Sequence, residues 1–220
     1  MRRVIAKGAE AILYLEDWLG LTVLVKERMP KAYRDPAFDK AIRLRRTINE
    51  ARLMIKAHGL GVPVPDVYDV DLANMRIRMR YIESTTLNEL LFKLGYGEGS
   101  LRLMARMGEL LGILHRNGIL HGDPTPANVL VKDSECWLID FGLGEEANPT
   151  WDDRYLHRVA LDLNVLLRSL ESNHGPHSGE LFKAFLGGYS SVVGSSNADS
   201  AVRYVRRLRS LARYMTGRLL

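Results

Sequence analysis

The order of patterns along this 220-residue chain predicts an α+β fold of two lobes, a small N-terminal sheet lobe with one main helix and a helical C-terminal lobe. Three observations predict it. Short apolar runs at 4–6, 12–15 and 21–25 come first, separated by turn-prone residues. A strictly alternating segment follows at 75–81. Beyond residue 100 the apolar residues recur mostly at helical spacing.

The elements follow in order. The first two strands flank the loop Lys7-Gly8-Ala9-Glu10, and the turn Asp17-Trp18-Leu19-Gly20 leads into the third. A helix is predicted over 36–58, with Pro36 in its first turn, Asp35 as cap and Gly59 as stop. In the alternating strand Met75, Ile77, Met79 and Tyr81 form the apolar side. The connection Ile82-Glu83-Ser84 divides the chain into lobes of residues 1–82 and 83–220. A helix over 100–117 carries Leu101, Met104, Met107, Leu111 and Leu114, with Ser100 as cap and Gly118 as stop. Further helices are predicted near 153–172, 178–190 and 198–216, the first rich in Ala160, Leu161, Leu163, Val165, Leu166 and Leu167.

Composition narrows the class. With 46% hydrophobic and 26% charged residues the chain reads as a globular protein. A single cysteine, Cys136, excludes an internal disulfide and a thiolate cluster, and it reads as a small core residue. No long uncharged apolar stretch and no secretory leader is evident, so a cytoplasmic location away from the membrane is expected. The net charge of +5 points to an anionic partner.

The chemistry lies at residues 121–128, HGDPTPAN, and at the Asp-Phe-Gly triplet of 140–142. An Asp five residues before an Asn, then a hairpin and a second Asp, is the arrangement that holds Mg2+ and ATP for phosphoryl transfer. That reaction needs metal ions, positioning and charge neutralisation more than covalent help. Asp123 takes the catalytic place, accepting or orienting the proton of an attacking hydroxyl or water. Asn128 and Asp140 supply hard oxygens suited to Mg2+. Apolar residues 129–131 and 137–139, flanking polar 132–134, form the hairpin that brings Asn128 and Asp140 side by side.

The rest of a nucleotide site can be sought by position. Lys26, on the third strand, is placed at the α and β phosphates, held by a glutamate from the following helix. Glu50 is that glutamate, with Glu27 and Lys31 as neighbouring competitors. Lys7, Gly8 and Ala9 belong to the phosphate-covering loop, which has one glycine and no GxxxxGK[ST] signature, so this is not a P-loop enzyme. Met79, Tyr81 and Ile82 line an apolar adenine pocket where the lobes join. His121 packs behind the catalytic loop, and the histidines show no HxH or HExxH spacing for zinc.

Several segments together resemble one family: VKERMPKAYR at 25–34, INEARLMIKAHGLGVPVP at 48–65, MRYIES at 79–84, HGDPTPANVLV at 121–131, DFGL at 140–143 and ALDLNVL at 160–166. The chain resembles the small atypical Ser/Thr kinases and ATPases of the KEOPS complex, the PRPK-type family in its archaeal form, from about Ala6 to Tyr189. The resemblance implies a minimal bilobal protein-kinase-like fold, ATP and Mg2+ as cofactors, and a sugar-kinase-like KEOPS subunit among its partners. It implies a role in N6-threonylcarbamoyladenosine (t6A) modification of tRNA. It also implies that Asp162 steadies the catalytic loop. No Ala-Pro-Glu motif follows Asp140, which favours an ATPase switch, or phosphorylation of a bound partner, over a broad protein kinase.

Two departures stand out. Pro124-Thr125-Pro126-Ala127 replaces the family's usual Leu-Thr-Thr-Ser, stiffening the loop and removing a hydroxyl. The basic RGRKR-like tail is replaced by Arg203, Arg206, Arg207, Arg209, Arg213 and Arg218, beside an apolar stripe of Val205, Leu208, Ala212 and Met215. These arginines read either as the solvated face of a last helix or as a surface for tRNA or a partner. Two other functions stay open on the sequence: a small-molecule phosphotransferase of the aminoglycoside or choline kinase kind, and a nucleotide-binding scaffold.

Overall fold

Strands close in sequence pair first. In the computed structural model, which describes residues 2–216, β1 (Arg3–Lys7), β2 (Ala11–Trp18) and β3 (Leu21–Arg28) form an antiparallel meander. β4 (Val67–Asp71) and β5 (Arg76–Arg80) complete a five-stranded sheet in the order β1-β2-β3-β5-β4. Trp18 pairs with Leu21, so the turn is only Leu19-Gly20, both at positive φ, the conformation that matches strand twist. The third strand runs past the predicted Val25 to Arg28, because β5 pairs along it as far as Glu27.

Between β3 and β4 lies α1 (Pro36–Gly59), capped as predicted by Asp35, whose carboxylate accepts the N–H groups of Ala37 and Phe38 at 3.0 Å. Gly59 is not the stop. It remains helical, and the left-handed place past the helix end falls to Gly61 at φ +76°.

A short strand β6 (Thr85–Thr86) and helix α2 (Leu87–Leu94) follow, neither expected. Thr86 and Glu89 form a capping box that is legible as T-x-x-E in the sequence. α3 (Glu98–Arg116) begins earlier than predicted, with Gly97 at its cap position. Ser100 lies inside the first turn, its hydroxyl donating to the Gly95 carbonyl. Gly118, at φ +75°, ends the helix as expected. Next come β7 (Ile119–Leu120), a single 3-10 turn over Pro126–Asn128, and the hairpin of β8 (Val129–Lys132) and β9 (Glu135–Leu138), closed by Asp133-Ser134 at positive φ. β10 (Glu145–Glu146) pairs with β7, and α4 (Asp153–His174), α5 (Ser178–Val193) and α6 (Ser195–Thr216) complete the fold.

One large core joins α1 to the helical part: Leu53, Met54 and Ala57 share it with Leu110, Leu114, Phe141, Val159, Leu163 and Phe185. A smaller cluster of Tyr14, Val23 and Val25 lies on the sheet. α3 and α5 approach closely because Gly108 and Gly188 lack side chains; a Cβ at 188 would lie 1.9 Å from the Ala105 carbonyl oxygen. On α6 Val205 is buried, Leu208 packs on the core, and Arg203, Arg206 and Arg207 face outward, while Arg209 pairs with Glu171 at 2.9 Å. Arg218 lies outside the described residues, as do the side chains of Ala212, Arg213 and Met215. Among the described residues no helix is long and apolar enough to cross a membrane.

Candidate active site

Strand alternation decides which side chains of β3 meet the helical part. Val23, Val25 and Glu27 share one face, where Glu27 accepts from Arg76 (2.8 and 3.1 Å) and from Tyr14 (3.0 Å). Leu24, Lys26 and Arg28 take the other face, over a cleft of about 590 Å³. Glu27 is thereby removed as a partner for Lys26. Lys31 is removed too: its ammonium donates to the Ala9 carbonyl.

The Lys26 ammonium donates to Glu50 Oε1 at 2.6 Å and to Asp140 Oδ1 at 2.8 Å. α1 brings Glu50 there because Leu53, Met54 and Ala57 anchor it in the main core. Burial pulls the Lys26 pKa down, but the Glu50 and Asp140 carboxylates more than offset it and hold the amine above its ordinary value. At Asp140 burial pushes upward, and the Lys26 charge outweighs it, so the carboxyl lies below its ordinary value. Asp140 itself adopts φ +63°.

The opposite wall is the loop after β7. Asp162, on α4, accepts the His121 N–H at 2.7 Å and the Gly122 N–H at 3.0 Å, and lies 3.1 Å from His115 Nε2. Gly122 has φ +84°, and a Cβ there would lie 2.3 Å from the Leu143 carbonyl oxygen. His121 is fully buried against Phe141, with ring centroids 4.6 Å apart. Burial holds its imidazole below the ordinary pKa despite the neighbouring carboxylates, which makes it a neutral packing residue. The loop then presents Asp123, whose main-chain oxygen and Oδ2 each accept from Asn128 Nδ2 at 2.9 Å. The Thr125 N–H donates to the Asp123 carbonyl at 2.8 Å and the Asn128 N–H to the Thr125 carbonyl at 2.9 Å, so the two prolines sit in a tight turn.

Of the residues singled out from sequence, Gly8, Ala9, Lys26, Glu50, Met79, Tyr81, Ile82, Asp123 and Asp140 all line this one cleft. Asn128 is not on its wall but reaches it through Asp123. Lys7 does not line it; it is the exposed last residue of β1. Missed were Arg28 and Glu10, which meet inside the cleft, and Leu130 and Ile139 from the hairpin. Period-2 alternation from Lys26 could have found Arg28.

The donor set suits a hard cation. Asp140 carries a carboxylate that is 47% exposed, and the Asn128 amide nitrogen is engaged by Asp123, leaving the amide oxygen for a metal.

A family model described as the RIO domain matches residues 27–167. The KEOPS complex subunit Bud32 of Pyrococcus abyssi is 38% identical over 218 residues, covering 96% of both chains. The KEOPS subunit bud32 of Dictyostelium discoideum is 36% identical, over 97% of this chain and 83% of that protein. A probable bifunctional tRNA threonylcarbamoyladenosine biosynthesis protein of Methanothermobacter thermautotrophicus is 36% identical over 96% of this chain, which spans only 36% of that longer protein. Among solved structures, the Rio2 kinase from Chaetomium thermophilum, in an ADP/Mg2+-phosphoaspartate complex, superposes with a TM-score of 0.61 over 94% of this chain and 71% of its own, at 17% identity.

Proposed function

This chain belongs to the RIO-domain family, and from that premise we propose that it is an ATP- and Mg2+-dependent atypical serine/threonine kinase or ATPase serving as a KEOPS subunit in t6A modification of tRNA. The observation that carries the reading is the Lys26 ammonium held between Glu50 and Asp140, in a cleft whose other wall presents Asp123. In this reading a lobe of residues 1–82 grips the nucleotide against a lobe of residues 83–220. Met79, Tyr81 and Ile82 bound the adenine, and Gly8 and Ala9 cover the phosphates. Lys26 neutralises phosphate charge, and Glu50 fixes its direction. Asn128 and Asp140 would hold Mg2+, which supplies charge neutralisation at the transferring group when bound. Asp123 orients the attacking hydroxyl or water, and the Asn128 amide holds its carboxylate in place.

In this reading the partners are the other subunits of the complex, a sugar-kinase-like one among them; the names of two relatives, matched over 96% and 83% of their own length, support membership of the complex. The exposed arginines Arg203, Arg206 and Arg207 would in this reading contact tRNA phosphate.

The test is ATP turnover with Mg2+, with and without the sugar-kinase-like partner, in wild type and Asp123→Asn. Turnover that rises with partner and is lost in the variant, while nucleotide binding persists, supports the reading. Wild type and variant equally inactive with partner bound would reduce the protein to a nucleotide-binding scaffold.

A further inference from the structure

Resting on the ATP-site reading above, the geometry points to Arg28 as a positioning residue that fixes the Glu50 carboxylate for Lys26 and latches the phosphate-covering loop through Glu10. Arg28 lies two residues beyond Lys26 on the same face of β3 and is 4% exposed. Its Nη2 donates to Glu50 Oε2 at 2.5 Å while Lys26 takes Oε1 at 2.6 Å. A carboxylate with a cation on each oxygen cannot rotate without losing one of two charge-assisted bonds. The Lys26 ammonium is therefore aimed by a pair of contacts, only one of which is its own.

The same guanidinium faces the loop. Arg28 Nη1 lies 3.7 Å from Glu10 Oε2, and that carboxylate also accepts from Arg46 of α1. The Arg46 bond holds the Glu10 carboxyl below its ordinary pKa, so the latch is ionic at neutral pH. The main chain assists: the Met29 N–H donates to the Glu10 carbonyl at 3.2 Å. Room for Arg28 comes from Gly142, where a Cβ would lie 2.5 Å from Nη2. Lys26, Arg28 and Arg46 thus balance Glu10, Glu50 and Asp140 in charge. Without Arg28 an unbalanced anion would stand where phosphates must bind. The latch also gives a loop with a single glycine a side-chain means of holding its position.

Two conservative variants test this. Arg28→Lys keeps a cation, but one short ammonium cannot serve Glu50 and Glu10 together. Glu10→Gln removes the loop charge at a side chain that is 47% exposed. Both should speed amide hydrogen exchange over residues 7–11 without nucleotide. Both should raise KM for ATP by about fivefold or more, with a smaller change in kcat. The double variant should be raised less than the product of the singles, as for residues in one network.

Unchanged exchange in both variants overturns the latch. Faster exchange with wild-type KM overturns the positioning role, and so do singles that multiply fully in the double. If Arg28→Lys loosens the whole protein, Glu10→Gln alone decides by the same criteria. A wild type that neither binds nor hydrolyses ATP overturns instead the reading on which the kinetic arm rests, and exchange still reports the latch.

Discussion

Replacing Asp162 by asparagine isolates what holds the loop that presents Asp123. Asp162 is 4% exposed; Oδ2 accepts the His121 N–H at 2.7 Å and faces His115 Nε2 at 3.1 Å, while Oδ1 accepts the Gly122 N–H at 3.0 Å. An amide in the same place keeps only one acceptor oxygen. Set where Oδ2 was, it retains His121 and turns its NH2 toward the Gly122 N–H, so that a donor is left unpaired. That costs about 1–3 kcal/mol, and losing the ionic character of the remaining bonds adds about 1 kcal/mol. The expected destabilisation is about 2–4 kcal/mol, a fall in Tm of about 5–15 °C for a chain of this size. Urea unfolding followed by circular dichroism at pH 7 measures it. Turnover should fall in parallel, because Asp123 directly follows Gly122. A variant within about 0.5 kcal/mol of wild type would refute the reasoning, since surface-like indifference cannot come from a buried carboxylate that bonds the His121 and Gly122 amides.

Other expectations follow from single contacts. Gly188→Ala should destabilise by about 2–3 kcal/mol or more, because its Cβ meets the Ala105 carbonyl at 1.9 Å and forces α3 and α5 apart. The neighbouring Gly187→Ala, exposed with nothing within 4 Å, should instead stabilise by about 0.5–1 kcal/mol through helix propensity; thermal melts of the pair decide. Burial pushes the Cys136 thiol up to about 11, so a thiol reagent at pH 8 should label it only as denaturant unfolds the chain, and rapid native labelling would contradict its burial. The folded Asp140 carboxyl titrates below its usual 3.8, so its pairing with Lys26 stabilises the fold above that value and is lost as pH falls through the depressed one. The stability gap between wild type and Asp140→Asn should therefore narrow as pH falls below the usual 3.8, and a gap independent of pH would rule the pairing out as its source.

Most of the fold was legible because its signals are local. Alternation marked β5, helical spacing with the Asp35 cap marked α1, and turn-prone residues marked the β8–β9 hairpin. The errors also have local causes. Gly59 and Gly61 both look like helix stops, and only the chain's path shows which one needs a positive φ. Ser100 resembles a cap, but it is buried, and its hydroxyl closes onto the Gly95 carbonyl from inside the first turn. The eight residues of α2 are too few to show a period, and only the Thr86–Glu89 box announces them.

The sequence by itself determined which donors lie together. An Asp-Asn loop, a hairpin and a second Asp fix which donors lie near one another, because the spacing is short and the chain between them is stiff. Tertiary structure alone decided the partners of those donors. Glu50 meets Lys26 across 24 residues, and Asp140 meets Lys26 across 114, because α1 shares the helical core while β3 turns one face toward it. Glu27 stands next to Lys26 in the chain and points the other way, and Arg28, one step further, points back into the cleft. Proximity along the chain counts for little there, since a strand sends neighbouring side chains to opposite faces and packing chooses the face that lines the cleft.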